Sequence, residues 1–311
     1  MKYTLNDTSS YHTHNIQTLA WELTICNSLE SRESPLRSLL RYQDTYGSQL
    51  YRYMKKILDF KEIENIMEIG GGYGFLMRDL LKLNRRLKPV MVDISEQFIL
   101  KQKELLRQHD INFICDDFFN LPEMFFKNIH FAILNENTGD FPTIVNGDSN
   151  ILWSGSDELD AVELQIRKFF DSYSLEKPEK NRPFNFNIGA MTALEKLCMS
   201  EVPYIFISEH SCEAAAPEEF RDALGIVPAE FPEKINLMGH DEYTIKFSFL
   251  EKIGKKFQYQ MVRGPLIEII EIDDLEKLAP IIFSTVRNDR IEILKQFIYD
   301  LFKYEFILFY K

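Results

Sequence analysis

The stretch Ile66-Met67-Glu68-Ile69-Gly70-Gly71-Gly72-Tyr73-Gly74-Phe75-Leu76 constrains this chain more than any other. An apolar, β-branched run enters it, four glycines crowd its middle, and Phe75-Leu76-Met77-Arg78-Asp79-Leu80-Leu81 leaves it with helical spacing. A strand, a glycine turn and a helix in that order suit a nucleotide-type ligand. Glycine lets the backbone come close to a ligand, and the first turn of a helix offers unpaired N–H groups at a positive dipole end. The spacing Gly70-x-Gly72-x-Gly74 is one residue tighter than the dinucleotide fingerprint. Glu68 sits on the strand just before the turn, where it would repel a pyrophosphate but welcome a cationic ligand.

Downstream, strand and helix patterns alternate, which implies a parallel sheet. Strands are expected at 63–69, 89–94, 111–115, 129–134 and 202–208, with helices at 74–83, 96–108 and 189–200 between them. The strands end in polar groups: Asp93, Asp116-Asp117, Asn135-Glu136 and Glu209-His210. In open parallel sheets ligands bind beyond those ends, and Asp93 lies 19 positions after Gly74 (93 − 74). That is close to the ~20-residue offset of an acid that binds ribose hydroxyls. Any one of these acids is equally well explained as a solvated strand end or helix cap.

Residues 1–60 read as helical, with Ile16, Leu19, Ala20, Leu23 and Ile25 as one apolar face and Gly47 as a bend in the last helix, so that the segment forms a lid or cap. The remainder, 61–311, reads as one domain with insertions at about 140–188, 211–241 and 273–302. The first insertion carries a helix over 157–173. Connections of this length beside a ligand face usually shape the substrate site. Near the C-terminus, Ser248-x-x-Glu251 fits a capping box, 257–262 and 266–272 read as strands around Gly264-Pro265, 290–302 as a helix, and 304–310 as a closing strand.

Asp and Glu outnumber Lys and Arg by 48 to 36 in a chain of 311 residues, a net charge of −12. That argues against nucleic acid or an anionic membrane as partner. No apolar run reaches the ~20 residues of a span. The polar start, Met1 to Ser10 with Asp7 inside it, is unlike a signal peptide, so a cytoplasmic protein is expected. Cys26, Cys115, Cys198 and Cys212 are scattered without metal spacing and are expected to be reduced thiols. His12, His14 and the group Glu209, His210, Cys212, His240 and Asp241 include metal-ligand types in no defined pattern, and no metal site is expected.

Glu68-x-Gly70-x-Gly72-x-Gly74, with the acid that ends the second strand, resembles the first two motifs of the class I S-adenosylmethionine (SAM) methyltransferases. The resemblance implies a Rossmann-like α/β fold: a seven-stranded sheet with helices on both faces, an N-terminal helical extension and insertions. It also implies SAM as cofactor and S-adenosylhomocysteine (SAH) as product. Glu68, Gly70, Gly71, Gly72 and Gly74 would face the methionine part and Asp93 the ribose hydroxyls. Asp116 or Asp117 with Phe118 would flank the adenine, and Ile94 and Asn135 complete the expected contacts. A narrower resemblance is to the MidA-like family, which includes a mitochondrial complex I assembly protein-arginine methyltransferase. It is carried by Tyr46-Gly47-x-x-Leu50, Asp93-Ile94-Ser95, Asn135-Glu136-x-x-x-Asp140-x-Pro142, His240-Asp241-x-x-Thr244 and Phe302-Lys303-Tyr304. The family's glycine- and tyrosine-rich N-terminal segment is absent, and Glu209-His210-Ser211 stands where the family has Asp-Tyr-Gly.

Methyl transfer to a protein side chain, arginine among them, or to a small molecule is therefore the expected activity. Glu136, Asp140, Glu209 and His210 are the candidate catalytic residues, as bases or as groups that position the acceptor. The alternatives are a SAM-binding but catalytically degenerate assembly or interaction protein, and a Rossmann-like oxidoreductase using a nicotinamide cofactor.

Overall fold

A computed structural model describes residues 3–14, 24–153 and 159–311. Seven strands form its central sheet: β1 (Asn65–Ile69), β2 (Lys88–Asp93), β3 (Asn112–Cys115), β4 (Phe131–Asn135), β5 (Tyr204–His210), β6 (Gln260–Pro265) and β7 (Tyr304–Tyr310). Their order across the sheet is β3-β2-β1-β4-β5-β7-β6. The first five run parallel, and β7 enters antiparallel between β5 and β6. This is the Rossmann-like seven-stranded arrangement that the sequence led us to expect. The chain reverses direction across the sheet between β1 and β4, so the crevice beyond their C-terminal ends is where a ligand belongs.

The sheet is buried on both sides. Phe131 and Ile133 of β4 point into one apolar cluster and Ala132 and Leu134 into the other. All four are fully buried, which is why β4 reads as an unbroken apolar run. Helices α1 (Tyr46–Met54), α2 (Phe75–Leu83) and α7 (Asp289–Lys303) contribute to the first cluster. Helices α4 (Ala161–Ser172), α5 (Ile188–Met199) and α6 (Phe247–Lys256) contribute to the second, while α3 (Glu96–Leu105) follows β2. Helix α4 starts at a reciprocal capping box made by Asp160 and Glu163.

Four local expectations change. The N-terminal segment is not all helix: Thr4–Asn6 is a strand that pairs with Thr143–Asp148, itself paired with Pro183–Phe186 in a small antiparallel sheet. The expected helical face from Ile16 to Leu23 lies outside the described residues, as do residues 154–158 at the start of the helix expected over 157–173. Gly47 does not bend its helix. It sits in the first turn of α1 against α2, where an added Cβ would stand 2.7 Å from Asp79 Cβ. Ser248 is not a cap, because α6 already begins at Phe247 and Glu251 is bound to Arg263 Nη1 at 3.1 Å. Residues 266–272 form no strand. Beyond Pro265 the chain turns through a 3-10 helix at Leu266–Glu268, and Leu266, Ile269 and Ile270 are buried. An apolar run cannot by itself tell a strand from a buried turn.

Candidate functional site

Beyond the C-terminal ends of β1, β2 and β4 lies a cavity of about 280 Å³. Its floor is the glycine turn. Gly70 (φ +63°) follows β1, and a Cβ there would stand 2.6 Å from Asn137 Nδ2, the atom that donates to Ile69 O. Gly72 (φ +50°) differs, because a Cβ there would meet no protein atom within 4 Å. That backbone faces open space, as a surface held bare for a ligand does. Gly74 starts α2 without lining the cavity.

Glu68 lies beneath this turn, 3% exposed. The Met77 backbone N–H, in the first turn of α2, acts to lower its carboxyl, while Oε2 is buried without a partner. Burial, and then the charge of Asp93, push its carboxyl up to about 8. Asp93, at the end of β2, is also buried. Its Oδ1 accepts from Ser95 N (2.9 Å) and its Oδ2 from Gln102 Nε2 (3.1 Å). Burial raises this carboxyl to about 6 against the pull of those hydrogen bonds. Gln102 also donates to Gly72 O at 2.9 Å, so one buried amide fixes the acid of β2 to the glycine turn. Nothing in the sequence marked Gln102, since a glutamine on a helix looks like a solvated residue until its neighbours are known.

Ile94, Asp116, Asp117 and Phe118 form the adjoining wall. Asp116 Oδ1 accepts from Asp117 N (2.7 Å), and Asp117 Oδ1 accepts from Phe119 N (2.9 Å), which shapes the turn after β3. Phe118 is buried, with its ring parallel to that of Phe141 at 6.5 Å.

Another part of the wall is formed by Asn135, Glu136 and Asp140 together with the N-terminal segment. Asn135 Oδ1 accepts from Ser208 Oγ (2.8 Å) and from the Tyr46 hydroxyl, and its Nδ2 donates to Glu136 Oε1 (3.1 Å). Glu136 has φ +54°, unusual for a residue with a side chain. Its carboxylate accepts from Ile25 N (2.8 Å) and Cys26 N (3.2 Å), at the start of the short helix Ile25–Ser28. Burial raises its pKa, and those hydrogen bonds oppose the rise. The N-terminal segment is tied down again where Arg78 Nη1 and Nη2 each donate to Glu30 at 2.6 Å.

Asp140 Oδ1 lies 2.9 Å from His12 Nε2 and 3.2 Å from His240 Nε2. Burial alone would raise its carboxyl, but the two imidazoles hold it well below the usual carboxylate range. Glu209 and His210 do not line the cavity. Glu209 is buried behind it and accepts from Gly139 N (3.0 Å) in the turn Thr138–Asp140. Burial first, and then Glu242, raise its carboxyl to about 8. The His210 ring packs on Tyr304 with centroids 3.8 Å apart, and its Nε2 lies 3.6 Å from Asp300 Oδ1. One cavity thus brings together every expected residue except Gly74, Glu209 and His210. It adds His12, Cys26, His240 and Glu242, which come from elements far apart in sequence and share no local motif.

No family model and no curated protein matches the sequence. Some solved structures are similar to it at low identity. The plantazolicin methyltransferase BpumL in complex with SAH is 14% identical over 92% of this chain and 89% of that one, with a TM-score of 0.45. The plantazolicin methyltransferase BamL, in complex with a triazolic desmethylPZN analogue and SAH, is 11% identical over 98% and 93%, also at 0.45. An S-adenosylmethionine-dependent methyltransferase from Mesorhizobium loti is 8% identical over 85% and 98%, again at 0.45. No helix among the described residues is long and apolar enough to cross a membrane.

Proposed function

We propose that the cavity binds SAM and that the chain is a SAM-dependent methyltransferase. Glu68 carries the reading: a buried carboxylate with an unpartnered oxygen, under a left-handed glycine turn, on the cavity wall. A pyrophosphate would find no counter-charge there. The ammonium of a methionine moiety would supply both the missing charge and the missing donor. Asp93, on the neighbouring strand end, then suits the ribose hydroxyls. Ile94, Asp116 or Asp117, and Phe118 suit the adenine, and Asn135 lies toward the sulfonium. The reversed β7 between β5 and β6 is the sheet order of the class I methyltransferases and supports the same reading.

Methyl transfer is an in-line displacement: an acceptor lone pair forms the new bond to carbon as the S–CH3 bond breaks, and SAH leaves. What the protein contributes is proximity and alignment. Glu136 acts here as a positioning residue, since its oxygens hold residues 25 and 26 over the cavity. Glu209 positions Asp140 through the Gly139 N–H. The acceptor, a protein side chain such as arginine or a small molecule, meets the methyl group beside Asn135, Glu136 and Asp140. The MidA-like likeness is carried in part by those same residues, which supports an acceptor held by that stretch.

Calorimetry with SAH tests the cofactor, with a micromolar dissociation constant expected, and tritiated-methyl labelling of cell extract tests the transfer. No binding of SAM or SAH would refute the proposal. The second reading, a SAM-binding assembly or interaction protein, draws on the engagement of Glu136 and Glu209 by neighbouring groups. Tight SAH binding with no labelled acceptor would favour it.

A further inference from the structure

On the cavity wall, His12, Asp140 and His240 converge from three separate elements. His12 lies on the helix Ser9–His14, Asp140 ends the turn after β4, and His240 directly precedes the short strand Asp241–Tyr243. Their ligand atoms all lie within 4.8 Å of one another. Asp140 Oδ1 to His12 Nε2 is 2.9 Å, and Asp140 Oδ1 to His240 Nε2 is 3.2 Å. The alignment of a hydrogen bond is missing between the first pair, and both Asp140 Oδ1 and His12 Nε2 are buried without a hydrogen-bond partner among the described residues.

A common centre fits the two separations that involve Asp140. Zinc–nitrogen and zinc–carboxylate bonds of about 2.0–2.2 Å put neighbouring ligand atoms about 2.9–3.5 Å apart across octahedral or tetrahedral edges. Both observed separations fall in that range. The His240 ring is held by stacking on Tyr11 at 4.1 Å, and its Nε2 also shares a hydrogen bond with Glu242 Oε1 (3.2 Å), a carboxylate near enough to become a further ligand.

We propose that His12, Asp140 and His240 form a binding site for one divalent first-row metal ion, with its open coordination positions facing the cavity. Two imidazoles and one carboxylate suit zinc and its neighbours in the row. Three protein ligands leave positions free, as in catalytic rather than purely structural sites. The sequence reading, which expects no metal, missed the site because positions 12, 140 and 240 follow no ligand spacing. The proposal does not depend on what the glycine end holds.

The test is calorimetric titration of the chelator-stripped full-length chain with zinc chloride, in parallel with SAH. One ion per chain, bound at submicromolar affinity, is expected. Affinity should fall at least tenfold in each of His12→Ala, His240→Ala and Asp140→Asn, but not in His14→Ala. The first variant alters a short peripheral helix, so a fold preserved by circular dichroism keeps its result decisive. Cobalt(II) should compete with zinc for the same single site. Absent zinc binding or wild-type affinity in His12→Ala would each overturn the proposal. The SAH titration reads the cofactor separately: zinc binding without SAH binding supports the metal site and refutes the proposed cofactor.

Discussion

Glu68→Gln changes an ionisable group into a neutral one of the same shape, and its effect follows from burial. The wild-type carboxyl is raised from 4.5 to about 8, first by burial and then by Asp93. Between those two values the folded protein keeps a proton that the unfolded chain gives up. Stability therefore falls as pH rises through this window and levels off above about 8. At 1.36 kcal/mol per unit, the loss between pH 4.5 and 7 is on the order of 3 kcal/mol. The glutamine keeps an oxygen toward the Met77 N–H, but its amide NH2 has no partner where Oε2 was. That gives the variant a constant handicap of about 1–3 kcal/mol. The prediction is therefore a slope: urea denaturation from pH 4.5 to 8.5 should show the variant gaining about 3 kcal/mol on wild type by pH 7. A difference that does not change with pH would refute the argument, because it would mean that Glu68 is already ionised in the folded chain. Ligand binding gives an independent check. An ammonium that pairs with Glu68 stabilises its charged form, so SAH binding to wild type at pH 7 should release protons, and binding to the variant fewer. Calorimetry in two buffers of different ionisation enthalpy measures that release.

Gly72→Ala should cost about 1–2 kcal/mol of stability, since alanine tolerates the left-handed region poorly. Its larger effect should be on SAH, at least tenfold weaker because the new methyl group enters ligand space, and unchanged affinity would place the ligand elsewhere. Gln102→Ala takes a donor from both Gly72 O and Asp93 Oδ2 and should lower stability by about 1–3 kcal/mol. SAH affinity should fall about tenfold with it, checked by denaturation and calorimetry. Glu136→Ala leaves the Ile25 and Cys26 N–H groups without their acceptor. Hydrogen exchange should accelerate at residues 24–30 while β4 stays protected, and uniform protection would show that other contacts hold the segment.

The core of the fold was legible because its signals are local. The apolar run of β4 and the glycines between β1 and α2 carry their meaning within a few residues. Asp93 and Glu68 were legible for the same reason, as acids at strand ends beside a glycine turn. The acceptor end was not. His12, Glu136 with residues 25 and 26, and His240 meet only after the N-terminal segment folds back over the sheet. No periodicity records such contacts. Glu251 shows the limit of motif reading. Its spacing from Ser248 fits a cap, yet the stronger attraction of the Arg263 guanidinium takes the carboxylate elsewhere.

Strand β7 has a consequence for how the protein is made. It hydrogen-bonds to β5 on one side and β6 on the other, so the strand of this sheet that is synthesised after the other six lies inside it. Until Tyr304–Tyr310 has left the ribosome, β5 keeps a bare edge beside Phe206 and Ile207, which is sticky in the way open edges are. A truncation that removes this strand would do more than shorten the protein. It would cut β6 off from the sheet and leave the other five strands with an apolar margin that favours aggregation over a working cavity.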